Sequence, residues 1–246
     1  MREMTRVLTT GQAYDCEKLT REAALARRIQ GYDKGAFGHS ISLPSEEEVD
    51  PRFKVHHNNL PFSGALAGCP YLRSIFESFR AKKSSFRLLR RAPRSAYSFH
   101  DDRDKGPDIL RLQIPIVTSQ HAYLVLPRED ADLDALVRAM ASADEDESAD
   151  IWFDLEKLER LFGGRLDLFQ LEPGLLYFFD TNRIHTLING DEEERIALVL
   201  DVVRNEWVER WISEQLTRDV APASPRPSPA VRWQWNALRH GVIRNP

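Results

Sequence analysis

The chain has 246 residues, enough for one large domain or two small ones, and its 42% hydrophobic and 29% charged content is that of an ordinary globular protein. A formal charge of −4 argues against a nucleic-acid partner, and Cys16 and Cys69 are too few for a disulfide framework. With no apolar run long enough to span a bilayer and no stretch resembling a signal peptide, the expectation is a reduced, soluble, cytoplasmic chain with no membrane partner.

Residues 1–12 show no clear period. Residues 15–30 predict a helix, with Asp15 as N-cap and Leu19, Ala23, Ala24 and Ala26 as a modest apolar stripe. Residues 41–43 read as a short strand before Pro44, and the acidic run 45–50 as a solvated loop. After a loop at 63–68, Pro70 suits the first turn of a second helix in which Leu72, Ile75, Phe76 and Phe79 recur at helical spacing. Cys69 reads as a packing residue, since nothing near it in sequence favours a thiolate.

Beyond Lys83 the pattern changes to short extended runs at 86–89, 96–102, 110–117 and 123–126, separated by Pro, Gly, Asp and Ser breakers. An insert at about 127–164 follows, helical at 130–140 and 155–162 and loop-like in the acidic stretch 142–150. An insert of this length often serves as a lid or specificity element, although its acidity reflects simple exposure. Strands resume at 165–171, and residues 206–218 predict a helix with Trp207, Val208 and Trp211 on one side. Residues 221–229 form a Pro-rich linker, and the basic tail with Trp233 and Trp235 is expected to dock on the domain. Residues 1–220 are thus expected to form a single domain, mainly β and antiparallel, with helices packed outside and the strap 221–246 appended.

The stretch from Pro173 to Val203 carries the strongest signals. Apolar runs at 175–179 and 196–203 flank a polar segment containing Asn189-Gly190-Asp191, a turn signal. A hairpin centred near Gly190 predicts His185 opposite Arg195, on one face. Arg195, Ala197, Val199 and Asp201 share one side of the second run, and Ile196, Leu198, Leu200 and Val202 the other. A strand apolar on both faces is usually central, and an arginine there needs an anionic partner, such as a bound carboxylate.

His100-Asp101-Asp102 ends one of the strand candidates, and a period of two places His100 and Asp102 on the same face. With His185 they make the two-histidine, one-carboxylate set of non-haem Fe(II) oxygenases, which holds the metal on one side and leaves positions for cosubstrate and dioxygen. Arg195 would bind the distal carboxylate of a 2-oxoacid by its planar fork. A Zn(II) hydrolase would leave Arg195 without a role.

The order and spacing of His100-x-Asp102, RLQIPIVTS from Arg111, PGLLYFFDTNRIHTLIN from Pro173 and RIALVLDV from Arg195 resemble the aspartyl/asparaginyl β-hydroxylase family of 2-oxoglutarate-dependent oxygenases. That resemblance covers roughly residues 86–203. It implies a double-stranded β-helix (a cupin-like jelly roll) with flanking N- and C-terminal helices, Fe(II) held by His100, Asp102 and His185, and 2-oxoglutarate anchored by Arg195. It implies hydroxylation of a free amino acid, a peptidyl side chain or an amino-acid-derived metabolite, with O2 consumed and succinate and CO2 released. The carboxylate Asp102 favours hydroxylation over halogenation. Two roles stay open for Arg111: contact with cosubstrate or substrate, or a salt bridge with an acid such as Asp201. Gln113, two residues on, and Arg94 are candidate substrate contacts. His121 could approach the site, His56-His57 read as surface residues, and Asp180 and Thr181 as turn residues that set the geometry before His185. Desaturation or epoxidation on the same iron, and a catalytically silent jelly-roll binding protein, are the alternatives to hydroxylation.

Overall fold

The structure is a computed structural model that describes residues 7–30, 40–49, 63–93, 95–96, 99–102, 108–127, 166–215 and 218–220. His56-His57, Arg94, the insert beyond Pro127 and the tail 221–246 lie outside the described residues.

In chain order the elements are β1 (Val7–Ala13), α1 (Cys16–Gln30), β2 (Ser40–Ser42), α2 (Pro70–Ser78), β3 (Lys83–Arg91), β4 (Ser95–Ala96) and β5 (Ile109–Val117). They continue with β6 (Ala122–Pro127), β7 (Leu166–Phe169), β8 (Leu175–Phe179), β9 (Thr186–Asn189), β10 (Arg195–Val203), α3 (Glu206–Gln215) and β11 (Arg218–Asp219). Two antiparallel sheets form. The large one has the order β11-β1-β8-β5-β10-β3-β2 and the small one β4-β9-β6-β7. From β3 to β10 the chain passes repeatedly between the sheets, so that β3, β10, β5 and β8 face β4, β9, β6 and β7. This is the winding of a double-stranded β-helix. None of the described helices is long and apolar enough to cross a membrane.

The centre of the large sheet is β10, registered along its length with β3 on one side and β5 on the other. Its alternation explains the layering. Ile196, Leu198, Leu200 and Val202 join Leu19, Leu72, Phe76, Phe86 and Leu88 in the core beneath the helices. Arg195, Ala197, Val199 and Asp201 point the other way, toward the small sheet. Between the sheets, Leu124, Leu126, Phe169, Tyr177, Phe179 and Leu187 form a second apolar cluster.

The helices cover the outer face of the large sheet. In α1, Leu19, Ala23 and Ala26 are buried as expected, but Ala24 is exposed and Glu22 is buried in its place. The Glu22 carboxylate accepts the Tyr71 and Leu72 N–H groups at 2.9 Å and so caps the N-terminus of α2, where Pro70 has no N–H to offer. Trp207 and Trp211 of α3 stack on each other and meet Phe79 in T-shaped contacts. Cys69 is fully buried, a packing residue.

Four expectations require correction. The first strand, β1, lies where no period was read; its Val7 and Leu8 pair with Phe179 and Phe178 of β8, and this tertiary pairing outweighs the polar Thr9-Thr10-Gly11-Gln12 that follows. The run 96–102 is not one strand, since β4 stops at Ala96 and His100 makes an isolated bridge. The helix expected over 206–218 ends at Gln215, and a two-residue strand, β11, follows it. Finally, β9 and β10 are not a paired hairpin. Both edges of β9 are taken by β4 and β6, both edges of β10 by β3 and β5, and the intervening turn carries the chain from one sheet to the other. His185 therefore does not face Arg195 across a ladder; its bridge partner is His100.

Candidate metal centre and buried cations

His100 and His185 exchange backbone hydrogen bonds, His100 N–H to His185 O at 3.1 Å and His185 N–H to His100 O at 2.9 Å. This reciprocal pair sets the two imidazoles side by side, their centroids 4.3 Å apart. Two residues on, the Asp102 N–H donates to the Thr181 carbonyl at 2.8 Å, which brings the third side chain to the same spot without a continuous strand. The turn that offers this carbonyl is closed by Asp180, whose carboxylate accepts the Asn182 N–H and whose carbonyl accepts the Arg183 N–H. One ligand atom from each of His100, Asp102 and His185 lies within 4.8 Å of the others. Two imidazole nitrogens and one carboxylate gathered beside a cavity suit a divalent first-row metal with open coordination positions.

The surroundings favour that use. Burial first, and then the charge of His100, push the His185 imidazole down to about 3, so it stays neutral near pH 7. Its Nδ1 lies 2.9 Å from the Arg183 carbonyl, which can only accept, so Nδ1 carries the proton and Nε2 keeps the lone pair for a metal. Phe179 packs edge-on against the ring at 5.3 Å.

Behind Asp102 stands a buried ion triad. Arg111 donates from Nε and Nη2 to the two oxygens of Asp201 at 2.7 and 2.8 Å, and from Nη1 to Asp102 Oδ2. Burial opposes the guanidinium charge, but Asp201 and Asp102 more than offset it and raise its pKa above the ordinary value. The salt bridge with Asp201, one of the two roles left open for Arg111, is present, and Arg111 also lines the cavity between the sheets. Asp201 stands opposite Arg111 in the β5–β10 register, so the pair follows from strand pairing.

The other cations lie farther along the same sheet face. Arg195 is only 2% exposed, and its Nη1 and Nη2 have no hydrogen-bond partner among the described residues. Arg91, directly opposite on β3, is 6% exposed. Burial, and then the charge of Arg91, draw the Arg195 guanidinium down to about 10, still charged at neutral pH.

A cavity lies between the sheets, lined by His100, His185, Arg111, Gln113, Arg91 and the apolar side chains of Leu89, Phe179, Leu187 and Val199. Gln113 is buried, and its Nε2 has no hydrogen-bond partner among the described residues. The structure thus brings together His100, Asp102, His185, Arg111 and Gln113, with Arg195 joined to the group through its neighbour Arg91. His121 does not line this cavity; its ring contacts Gln120 and its carbonyl accepts the Gly190 N–H. Sequence reasoning missed Arg91, because β3 was expected to stop at residue 89. Carrying the alternation of Arg87 and Leu89 two residues farther would have found it.

No family model matches this chain, and no curated protein does. Solved structures do. HygX from Streptomyces hygroscopicus, crystallised with nickel and 2-oxoglutarate, is 13% identical over 83% of this chain and 85% of its own, with a TM-score of 0.49. A member of the 2OG-Fe(II) oxygenase family from Burkholderia pseudomallei is 17% identical over 83% and 87%, with a TM-score of 0.46. The non-haem α-ketoglutarate-dependent carbocyclase SnoK of nogalamycin biosynthesis is 11% identical over 93% and 92%, with a TM-score of 0.48.

Proposed function

We propose that the protein is an Fe(II)- and 2-oxoglutarate-dependent dioxygenase that hydroxylates a C–H bond of an amino acid, a peptidyl side chain or an amino-acid-derived metabolite. The observation that supports this most directly is the meeting of His100, Asp102 and His185 within 4.8 Å, beside a cavity that His100, His185, Arg91 and Arg111 line. The substrate class comes from the sequence resemblance alone.

Iron bound at this site would supply dioxygen activation coupled to oxidation of 2-oxoglutarate to succinate and CO2, one oxygen atom entering succinate and the other the product. The chain's own residues then have defined tasks. His185 presents Nε2 because Arg183 holds its other nitrogen. Asp102 contributes the negative charge, and Arg111 fixes one of its oxygens so that the other faces the donors. Arg195 neutralises the distal carboxylate of the cosubstrate by charge-assisted hydrogen bonds in a site shielded from water. Gln113 donates from Nε2 to a carbonyl or carboxylate oxygen of the bound ligands. Phe179, Leu187, Val199 and Leu89 keep the cavity apolar around the C–H bond to be attacked and limit water access.

Anaerobic addition of Fe(II) and 2-oxoglutarate tests the reading. A visible charge-transfer band of the chelate is expected in the wild-type protein. His185→Ala should abolish it while far-ultraviolet circular dichroism is unchanged. A full band in that variant would refute the metal assignment. Succinate release stimulated by an amino acid or peptide would then identify the substrate class, whereas a chelate that never turns over would favour the silent binding protein.

A further inference from the structure

We infer that Gln113 donates from Nε2 to the metal-proximal carboxylate of the cosubstrate, at the oxygen that chelation leaves off the metal. The inference rests on the oxygenase reading above and specifies which ligand, and which end of it, Gln113 meets.

The strands place the residue. Gln113 follows Arg111 by two on β5, so both side chains leave the sheet on one face. From that face Arg111 reaches Asp102, one of the three candidate metal ligands. Gln113 is thus the next inward residue of β5 beyond the one that holds a metal ligand. It lines the same cavity as His100, His185 and Arg111. Its register partner on β10 is Val199, an apolar member of that lining.

Gln113 is 1% exposed, and its Nε2 has no hydrogen-bond partner among the described residues. A buried donor without an acceptor is destabilising, and a bound acceptor relieves it. A 2-oxoacid chelates a metal through its keto oxygen and one carboxylate oxygen, so its other carboxylate oxygen needs a donor from the cavity wall. The side chains of Leu89, Phe179, Leu187 and Val199 have none to give. His100 and His185 face the metal. Arg111 is committed to Asp102 and Asp201. Arg91 has contacts of its own within the protein, and it is rooted farther along β3 than Ser85, the residue level with Asp201 and Arg111. Gln113 is the donor that remains beside the metal ligands.

The experiment uses the full chain loaded with Fe(II) under anaerobic conditions, and titrates 2-oxoglutarate and 2-oxobutyrate by the chelate band. The two acids share the metal-proximal end and differ at the distal one. Gln113→Met should weaken both by the same factor, roughly ten- to a hundredfold, the loss of one hydrogen bond to a charged group. Gln113→Asn, whose donors sit one methylene farther back, should weaken both alike by a smaller factor, and it decides the matter if the methionine variant does not fold. Unchanged affinity for both acids, or a loss confined to 2-oxoglutarate, would overturn the role of Gln113. No band in wild type would overturn the oxygenase reading, and the inference with it.

Discussion

Arg111 serves two carboxylates that have different tasks. Asp201 takes two of its donors and has no place among the metal ligands; Asp102 takes a third and does. Asp201 thus holds the guanidinium square to the sheet and limits how far it can draw Asp102 away from His100 and His185. Asp201→Asn should reveal both effects. Arg111 would keep Asp102 but lose the charged partner of its other two donors, so urea denaturation should show a loss of about 1.5–3 kcal/mol. With Arg111 released toward Asp102, Fe(II) affinity should also fall roughly 10- to 100-fold, as it does when the support of a metal ligand is removed. A stability loss with unchanged metal affinity would confine Asp201 to the fold. The Arg111–Asp201 pair was legible in part, since both residue types stood on expected strands. Contact with Asp102 was not, because it depends on the Thr181 carbonyl drawing the end of a different segment inward.

At the scale of elements, the turn between β9 and β10 is tied to two neighbours by one side chain. Glu194 accepts from Arg27 of α1 and from Arg90 of β3. Burial alone would raise its carboxyl, but the hydrogen bonds and charges of the two arginines outweigh burial and hold it below the ordinary value of 4.5. A carboxyl that titrates lower in the folded state contributes stability present in full above the unfolded value and lost as pH falls through the folded one. Glu194→Gln should therefore cost roughly 1 kcal/mol at pH 7, and the difference from wild type should shrink below about pH 4 in urea titrations. A pH-independent difference would point to packing instead. This clamp sits one residue before Arg195, so it also determines where that cation enters the sheet.

Elements with strong periodicity were readable: α2 from Leu72, Ile75 and Phe76, β8 residue for residue, and β10 as a central strand from its two apolar faces. The assignment of strands to sheets was not. Asn189-Gly190-Asp191 is a sound turn signal, but a turn signal says only that the chain reverses. Which edge each arm then meets is decided by β3, β4, β5 and β6, whose paired residues lie from 61 (Val125 to Thr186) to 119 (Lys83 to Val202) residues upstream. The meeting of His100, Asp102 and His185 is independent of that hairpin, because it depends on the bridge from His100 to His185.

On the scale of the whole molecule, the two sheets divide the work. The candidate metal donors sit at the end of the small sheet, where β4 and β9 run toward His100 and His185, while Arg91, Arg111, Gln113 and Arg195 belong to the large sheet. Their inner faces are held together mainly by the apolar cluster of Phe169, Tyr177, Phe179 and Leu187. A dicarboxylate fastened to iron at one end and to Arg195 at the other would act as a tie rod across the sandwich. Deuterium uptake by the amides of β9 and β10 should accordingly slow in concert when Fe(II) and 2-oxoglutarate are added together, whereas iron by itself should quieten only the β9 side.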